Sequence, residues 1–233
     1  MMKLYLTTAA LLLLSISHKK ETYEVCVIDS GVDMEDVRIK PHLCSSGHVN
    51  LTKSSMSEDF SHGNHVVGII ISNSPKSGYC LKIIKFYSET NTEKQNNDNM
   101  IRALEISSSS CSLVNVSAGG SNADEKEHRV IKESKATFVL AAGNNGIELS
   151  KHPSYYPAGY FTSNSVVVGN LNKDGTIAST SNRDSRLVWE VGEWVESFGY
   201  RGSKVVMSGT SMAAARRTAR IITDTVRRTN GKK

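Results

Sequence analysis

Short apolar runs alternate with segments of helical periodicity along most of this chain. A short apolar run that ends in small polar residues is typical of a buried parallel strand, and apolar residues three or four apart are typical of a helix packed on a sheet. This alternation predicts an α/β fold of three layers, α/β/α, with a mostly parallel, doubly wound sheet. The predicted strands are 23–29, 79–87, 112–116, 137–142 and 165–171, and the predicted helices are 62–72, 97–110, 124–136 and 211–229.

Length and charge narrow the class of protein further. A chain of 233 residues with 39% hydrophobic residues is expected to form one domain with a sizeable core. The net charge is +5, and arginines cluster in the last predicted helix, at Arg216, Arg217, Arg220 and Arg227. Basic residues interleaved with aromatics are absent from the sequence, so we expect a solvated helix face and no nucleic-acid partner.

The first seventeen residues resemble a secretory signal peptide. One early lysine precedes an apolar run from Leu4 to Leu14, and the small residues Ser15 and Ser17 are spaced as a cleavage site. The run is short for a membrane span, so we expect no stable membrane insertion after cleavage. The sequence therefore predicts a signal peptide at 1–17, a mature domain at 18–233 and a secreted or extracytoplasmic protein.

Four cysteines follow the predicted signal peptide, at Cys26, Cys44, Cys80 and Cys111. Export makes disulfides favourable, and four cysteines allow three pairings, among which the sequence does not choose. Cys44 lies in a polar segment, so we expect it to take part in a disulfide. Cys26 and Cys111 lie in or beside apolar runs, where buried free thiols are the alternative.

Polar or small residues follow three of the predicted strands. Asp29 is the last residue of the first strand, and Gly119 and Asn144 lie near the ends of two others. The carboxyl ends of parallel strands meet at one edge of a sheet, where ligands bind in such folds. We therefore expect these three residues to lie on one rim of a site.

The segment SGTSMAAARR at 208–217 opens the last helix and allows two interpretations. Ser211 is either a helix cap that accepts hydrogen bonds from backbone N–H groups, or a nucleophile held at a helix start. A serine nucleophile needs an imidazole base and a carboxylate that orients the base. Asp29 at a strand end and His62 at the start of a helix are the candidates.

At these residues the chain resembles the subtilisin-like serine proteases. The segments that carry the resemblance are VIDSGVD, SHGNHVVGII, AAGNNG and SGTSMA, in the order of the family and covering the chain from about Val25 through the last helix. The resemblance implies that Asp29 orients His62, that His62 is the general base and acid, and that Ser211 is the nucleophile. Asn144 would supply a side-chain donor to the oxyanion.

The resemblance also implies where a polypeptide substrate binds. The segment NVSAGG contains Val116, Ser117, Ala118 and Gly119, which match the family's substrate-binding strand. Asn145 would border the pocket for the substrate side chain, and its neutral amide predicts neutral or apolar residues there. We expect a monomer with no cofactor.

Several residues depart from the family pattern. Asn64 stands in place of a threonine beside His62, and Ala215 stands in place of a proline after Ser211. Few residues separate Ser17 from Asp29, so we expect a short form without a pro-segment. The short SNSPKSG connection leaves no room for a calcium-binding insertion, and a zinc site from His62 and His65 lacks a further ligand at a fitting spacing. We therefore expect no required metal.

Two classes of function agree with these observations. The first is a secreted endopeptidase, which the presence of all four chemical residues favours. The second is a catalytically weak or inactive pseudo-protease that binds extended peptides by strand addition. An ester hydrolase of the α/β type is disfavoured because no G-x-S-x-G sequence surrounds Ser211.

Overall fold

The computed structural model describes residues 22–57, 61–152 and 154–231. The predicted signal peptide at 1–17 lies outside these residues. In chain order the elements are β1 (Tyr23–Asp29), β2 (Val49–Asn50), α1 (Ser61–Asn73), β3 (Tyr79–Lys85), α2 (Glu93–Ser110), β4 (Leu113–Val116), α3 (Glu125–Glu133), β5 (Thr137–Ala141), β6 (Ser165–Leu171), β7 (Val188–Val191), β8 (Val195–Phe198), β9 (Lys204–Met207) and α4 (Thr210–Asn230).

Seven of the strands form one sheet in the order β2-β3-β1-β4-β5-β6-β7. Every neighbouring pair in this sheet is parallel, which confirms the predicted doubly wound architecture. β8 and β9 form a separate antiparallel hairpin. None of the helices within the described ranges combines the length and apolar character that a membrane span needs.

Alternation along β1 divides the core into two layers. Val25 and Val27 pack into the apolar cluster that contains residues of α1 and α4. Cys26 and Ile28 pack into the cluster that contains residues of α2 and α3. Since successive side chains of a strand point to opposite faces, Asp29 shares the face of Val25 and Val27. The fold thus directs Asp29 toward the helices that carry His62 and Ser211.

Two disulfides connect the four cysteines. Cys44 pairs with Cys80, which confirms the expectation for Cys44. Cys26 pairs with Cys111, with 5.8 Å between their Cα atoms, so the alternative of two buried free thiols is wrong. The reason is the parallel pairing of β1 with β4, which places Cys26 opposite Val114 and close to Cys111, the C-cap residue of α2 just before β4.

Most of the shortest strands were not predicted from the sequence. β2 has 2 residues, and β7, β8 and β9 have 4 residues each and are only partly buried, so they lack the fully buried run that identified the equally short β4. α2 also begins earlier than predicted, because Thr92 and Gln95 form a capping box at its N-terminus.

Candidate active site

Asp29 and His62 are in direct contact at the edge of the sheet. Asp29 is the last residue of β1, His62 is the second residue of α1, and 2.8 Å separates Oδ1 of Asp29 from Nδ1 of His62. The backbone N–H of Ser30 donates to the same carboxylate oxygen at 2.7 Å. A carboxylate can only accept, so Nδ1 of the imidazole carries the proton. The other ring nitrogen, Nε2, is left with the lone pair that a base requires.

A glycine beside His62 allows α1 to approach the end of β1. A Cβ atom at Gly63 would lie 1.9 Å from the carbonyl oxygen of Gly31 and 3.4 Å from Oδ1 of Asp29. Any side chain at position 63 would therefore push the helix away from the sheet edge. The absence of a side chain is what lets His62 reach Asp29.

The surroundings of His62 change its acidity in two opposing ways. Burial of the imidazole lowers its pKa, while the negative charge of Asp29 and the hydrogen bond to it raise that pKa. The charge of Asp29 and its hydrogen bond together outweigh burial, so the pKa of His62 lies above its usual value of 6.5. Asp29 therefore makes the imidazole a stronger base than a free histidine side chain.

Ser211 is the second residue of α4 and does not cap the helix. The cap position is Gly209, which has no side chain to cap with, so the capping hypothesis for Ser211 is wrong. The hydroxyl of Ser211 donates to the backbone carbonyl of Ser117 at 3.2 Å. Because Ser211 lies in the first turn, its backbone N–H precedes the intrahelical hydrogen bonds and stays directed out of the helix start.

A buried polar network ties Ser211 to the middle of the sheet. Thr218 of α4 donates to Oδ1 of Asn115 at 2.8 Å, and Nδ2 of Asn115 donates to the hydroxyl of Ser117 at 2.9 Å. The Ser117 hydroxyl in turn donates to the backbone carbonyl of Ser211 at 3.4 Å. Asn115 and Thr218 were not predicted as site residues, although a polar residue inside an apolar strand is a signal that could have identified Asn115.

Asn144 is held by the same helix start. Its side-chain Oδ1 accepts from the backbone N–H of Thr210 at 2.9 Å, and the hydroxyl of Thr210 accepts from the backbone N–H of Gly143 at 3.1 Å. A Cβ at Gly209 would lie 3.2 Å from Nδ2 of Asn144. The amide of Asn144 thus packs over Gly209, with Nδ2 available as a donor next to Ser211.

One groove, of about 720 Å³, joins these side chains. Asp29, His62, Asn144 and Ser211 all line it, and so do three predicted substrate-binding residues, Ser117, Ala118 and Gly119. The other two predicted binding residues lie outside its lining. Val116 is fully buried in the core beside α2 and α3, and Asn145 is solvent-exposed.

The groove also contains a buried carboxyl group that was not predicted from the sequence. Glu127 of α3 lines the groove and accepts a hydrogen bond from the hydroxyl of Tyr160 at 2.8 Å. Burial raises its pKa to about 7, against the opposing effect of the Tyr160 hydrogen bond and with a smaller contribution from Asp124. Glu127 therefore changes charge near neutral pH.

The two residues that depart from the expected motifs, Asn64 and Ala215, are both buried. Asn64 is buried, and its Oδ1 accepts from the backbone N–H of Asp33 at 2.8 Å while its Nδ2 donates to the carbonyl of Gly199 at 3.2 Å. Ala215 is fully buried within α4. His65 is buried too, and its Nε2 bonds the carbonyl of Val195 at 2.8 Å. These contacts join α1 to neighbouring loops and strands.

Among the described residues, one group of potential metal ligands lies close together: Glu24, Cys44 and Cys80. The two sulfur atoms of this group are bonded to each other, so they offer no thiolate to a metal. The expectation that no metal is required stays a prediction.

Solved structures with similar folds come from proteases. A cold-adapted subtilisin-like serine proteinase superposes with a TM-score of 0.69 at 23% identity, covering 84% of this chain and 72% of that one. The epidermin leader peptide processing serine protease of Staphylococcus aureus superposes with a TM-score of 0.78 at 17% identity, covering 92% and 67%. At these identities the likeness shows the fold.

Sequence comparisons add to this likeness. "Subtilisin-like protease 2" of Trichophyton verrucosum is 26% identical over 201 residues, which cover 81% of this chain and 46% of the relative. The protein of the same name from Arthroderma benhamiae matches equally well. The chain thus spans about half the length of these curated relatives. The model of the subtilase family matches residues 20–221. With that match over most of its length, and with the family's fold, the chain belongs to the subtilase family.

Proposed function

We propose that this chain is a secreted serine endopeptidase that hydrolyses peptide bonds. The observation that carries the proposal is the 2.8 Å contact between Asp29 and His62 in a groove that Ser211 and Asn144 also line. A proton acceptor, a group that orients it, a hydroxyl and an amide donor are the parts that acyl transfer by a serine requires.

In this proposal the hydroxyl proton of Ser211 moves to Nε2 of His62 as Oγ attacks the substrate carbonyl carbon. A hydroxyl has one proton to donate, so the Ser211 side chain must first turn from the Ser117 carbonyl toward the imidazole. Asp29 stabilises the imidazolium that forms. His62 then gives the proton to the leaving amine, and water repeats the sequence to release the acyl group.

The attack places negative charge on the former carbonyl oxygen. Two donors lie at the helix start for that charge, Nδ2 of Asn144 and the backbone N–H of Ser211. The hydrogen bond from Thr210 fixes the Asn144 amide before the reaction, so no reorganisation is needed when the charge develops. The positive end of the α4 dipole acts in the same direction.

Polypeptides are the proposed substrates, with the extended chain pairing along the edge formed by 117–119. The two disulfides support export to an oxidising compartment, in line with the predicted signal peptide. We further propose that the mature protein acts as a monomer, does not bind nucleic acid and is not inserted in a membrane.

The test is the turnover of an unfolded protein substrate by the parent, Ser211→Ala, His62→Ala and the double variant. If these residues act as one unit, each single variant loses nearly all turnover and the double variant is scarcely worse. An inactive pseudo-protease would instead bind the substrate equally in all four proteins and show no turnover to lose. Turnover by Ser211→Ala equal to that of the parent would contradict the proposal.

A further inference from the structure

The ring of Tyr155 lies between two backbone segments that border Ser211. A Cβ atom at Gly119 would lie 2.6 Å from Cζ of Tyr155, and one at Gly143 would lie 2.7 Å from its Cγ. The ring therefore spans the gap between the segment after β4 and the segment after β5. Together with the carbonyl oxygen of Tyr156 beside Gly119 and the amide of Asn182 beside Gly143, the ring leaves no space for a side chain at either glycine.

The backbone around Tyr155 is fixed against the same segment. Gly120 and Tyr156 exchange two backbone hydrogen bonds, at 2.9 and 2.8 Å, and the backbone N–H of Gly159 donates to the carbonyl of Tyr155 at 2.8 Å. The ring is partly buried, and burial raises the pKa of its phenol to about 12. The ring is thus packed into the slot and does not extend freely into solvent.

The geometry of attack assigns this slot to one substrate side chain. The reacting carbonyl must lie between Oγ of Ser211 and Nδ2 of Asn144, and the acyl part of the substrate then continues along 117–119. A substrate bound in this way would direct the side chain of the residue before the cleaved bond between Gly119 and Gly143. That is the space that the ring of Tyr155 fills.

We propose that Tyr155 is a specificity-determining residue that restricts the position before the cleaved bond to small side chains, those of glycine, alanine and serine. The inference rests on the proposed function for the direction of the substrate. The sequence predicted neutral or apolar residues in this pocket. The position of Tyr155 excludes the larger ones among them, because a leucine or phenylalanine side chain would collide with the ring.

The test compares peptide 4-nitroanilides that differ only in the residue before the scissile bond, with alanine, serine, leucine or phenylalanine there. For the parent protein we expect kcat/KM with alanine to exceed that with phenylalanine by about 100-fold or more. Tyr155→Gly opens the slot and should raise kcat/KM for phenylalanine, reducing this ratio at least about tenfold. Tyr155→Phe keeps the ring and should keep the ratio.

Two further readouts separate this inference from the proposed function. Labelling of Ser211 by a fluorophosphonate reports the catalytic unit whatever the peptide preference, and binding of product peptides that end in alanine or phenylalanine reports the slot without turnover. A labelled parent that prefers phenylalanine overturns the role of Tyr155 and leaves the proposed function standing. The comparison of alanine and phenylalanine substrates in the parent protein tests the role of Tyr155 even if Tyr155→Gly does not fold. A parent that is not labelled but still binds alanine products more tightly than phenylalanine products supports the role of Tyr155 and contradicts the proposed function.

Discussion

The side-chain oxygen of Asn144 accepts a hydrogen bond from the backbone N–H of Thr210 at 2.9 Å. This contact joins the loop after β5 to the first residue of α4, directly before Ser211. It also fixes which way the amide points, because a backbone N–H can bond only to the oxygen of the amide group. The donor Nδ2 is therefore oriented toward the groove by the backbone of the helix that carries Ser211.

Replacing Asn144 by alanine removes this donor and leaves Asp29, His62 and Ser211 in place. We expect kcat to fall by about 10²–10³, with KM little changed, which is the known magnitude for loss of one side-chain oxyanion donor in a subtilisin and is carried over here by family. Steady-state kinetics on a peptide 4-nitroanilide measure the loss. Asn230→Ala, at the exposed end of α4, is the control; a fall in kcat/KM caused only by a higher KM would contradict the oxyanion role.

Replacing Gly209 by alanine tests the Asn144 donor through the residue that the amide packs against. Gly209 has φ +143°, and its added Cβ would lie 3.2 Å from Nδ2 of Asn144, so the amide must shift. We expect kcat to fall toward the value of Asn144→Ala, and the double variant to be little worse than Asn144→Ala alone. Gly175→Ala is a matched control, because Gly175 has φ +86° and no atom within 4 Å of an added Cβ. Full additivity in the double variant would contradict a shared mechanism.

The raised pKa of His62 predicts the acid limb of the pH–rate profile. The imidazole must be neutral to accept the Ser211 proton, so kcat/KM should rise with pH through the pKa of the free protein, at a midpoint above 6.5. Asp29→Asn removes the charge that raises this pKa and should move the limb to lower pH while reducing turnover. An acid limb that stays in place in Asp29→Asn would show that another group controls it.

The raised pKa of Glu127 predicts that the free energy of unfolding depends on pH. Its pKa is about 7 in the folded protein against an ordinary value of 4.5, so the folded state holds this proton more tightly than the unfolded state. The stabilising contribution of this proton is complete below pH 4.5 and is lost as the pH rises through about 7. Urea unfolding between these pH values should show that Glu127→Gln abolishes this loss. Glu125→Gln, at an exposed position of the same helix, should leave the slope unchanged, and equal slopes in all three proteins would contradict the assignment.

The sequence was sufficient for the residues whose roles follow from strand and helix periodicity. The apolar run 23–29 predicts that Asp29 ends a buried strand. Asp29 lies an even number of residues from Val25 and Val27, so its side chain shares their face of the sheet and points toward α1 and α4. The segment order likewise predicted the parallel sheet. These features depend on local patterns that a single chain displays directly.

Other features depend on contacts between distant segments. The Thr218–Asn115–Ser117 network joins residues 103 positions apart, and the sequence carries no periodic signal for such a contact. The ring of Tyr155 fills a gap that exists only once β4 and β5 are paired. Asn145 was predicted from its neighbour to border the pocket, but of these two exposed residues only Asn144 lines the groove.

The central claim is that Ser211 is a nucleophile activated by His62, and covalent labelling of the folded protein by a fluorophosphonate tests it most directly. We predict that mass spectrometry finds the probe on Ser211, that Ser208→Ala is labelled like the parent, and that a chelator of divalent metals changes nothing. Ser211→Ala should not be labelled, and His62→Ala should be labelled far more slowly. A folded parent protein that stays unlabelled, or that carries the probe on another residue, would contradict the account.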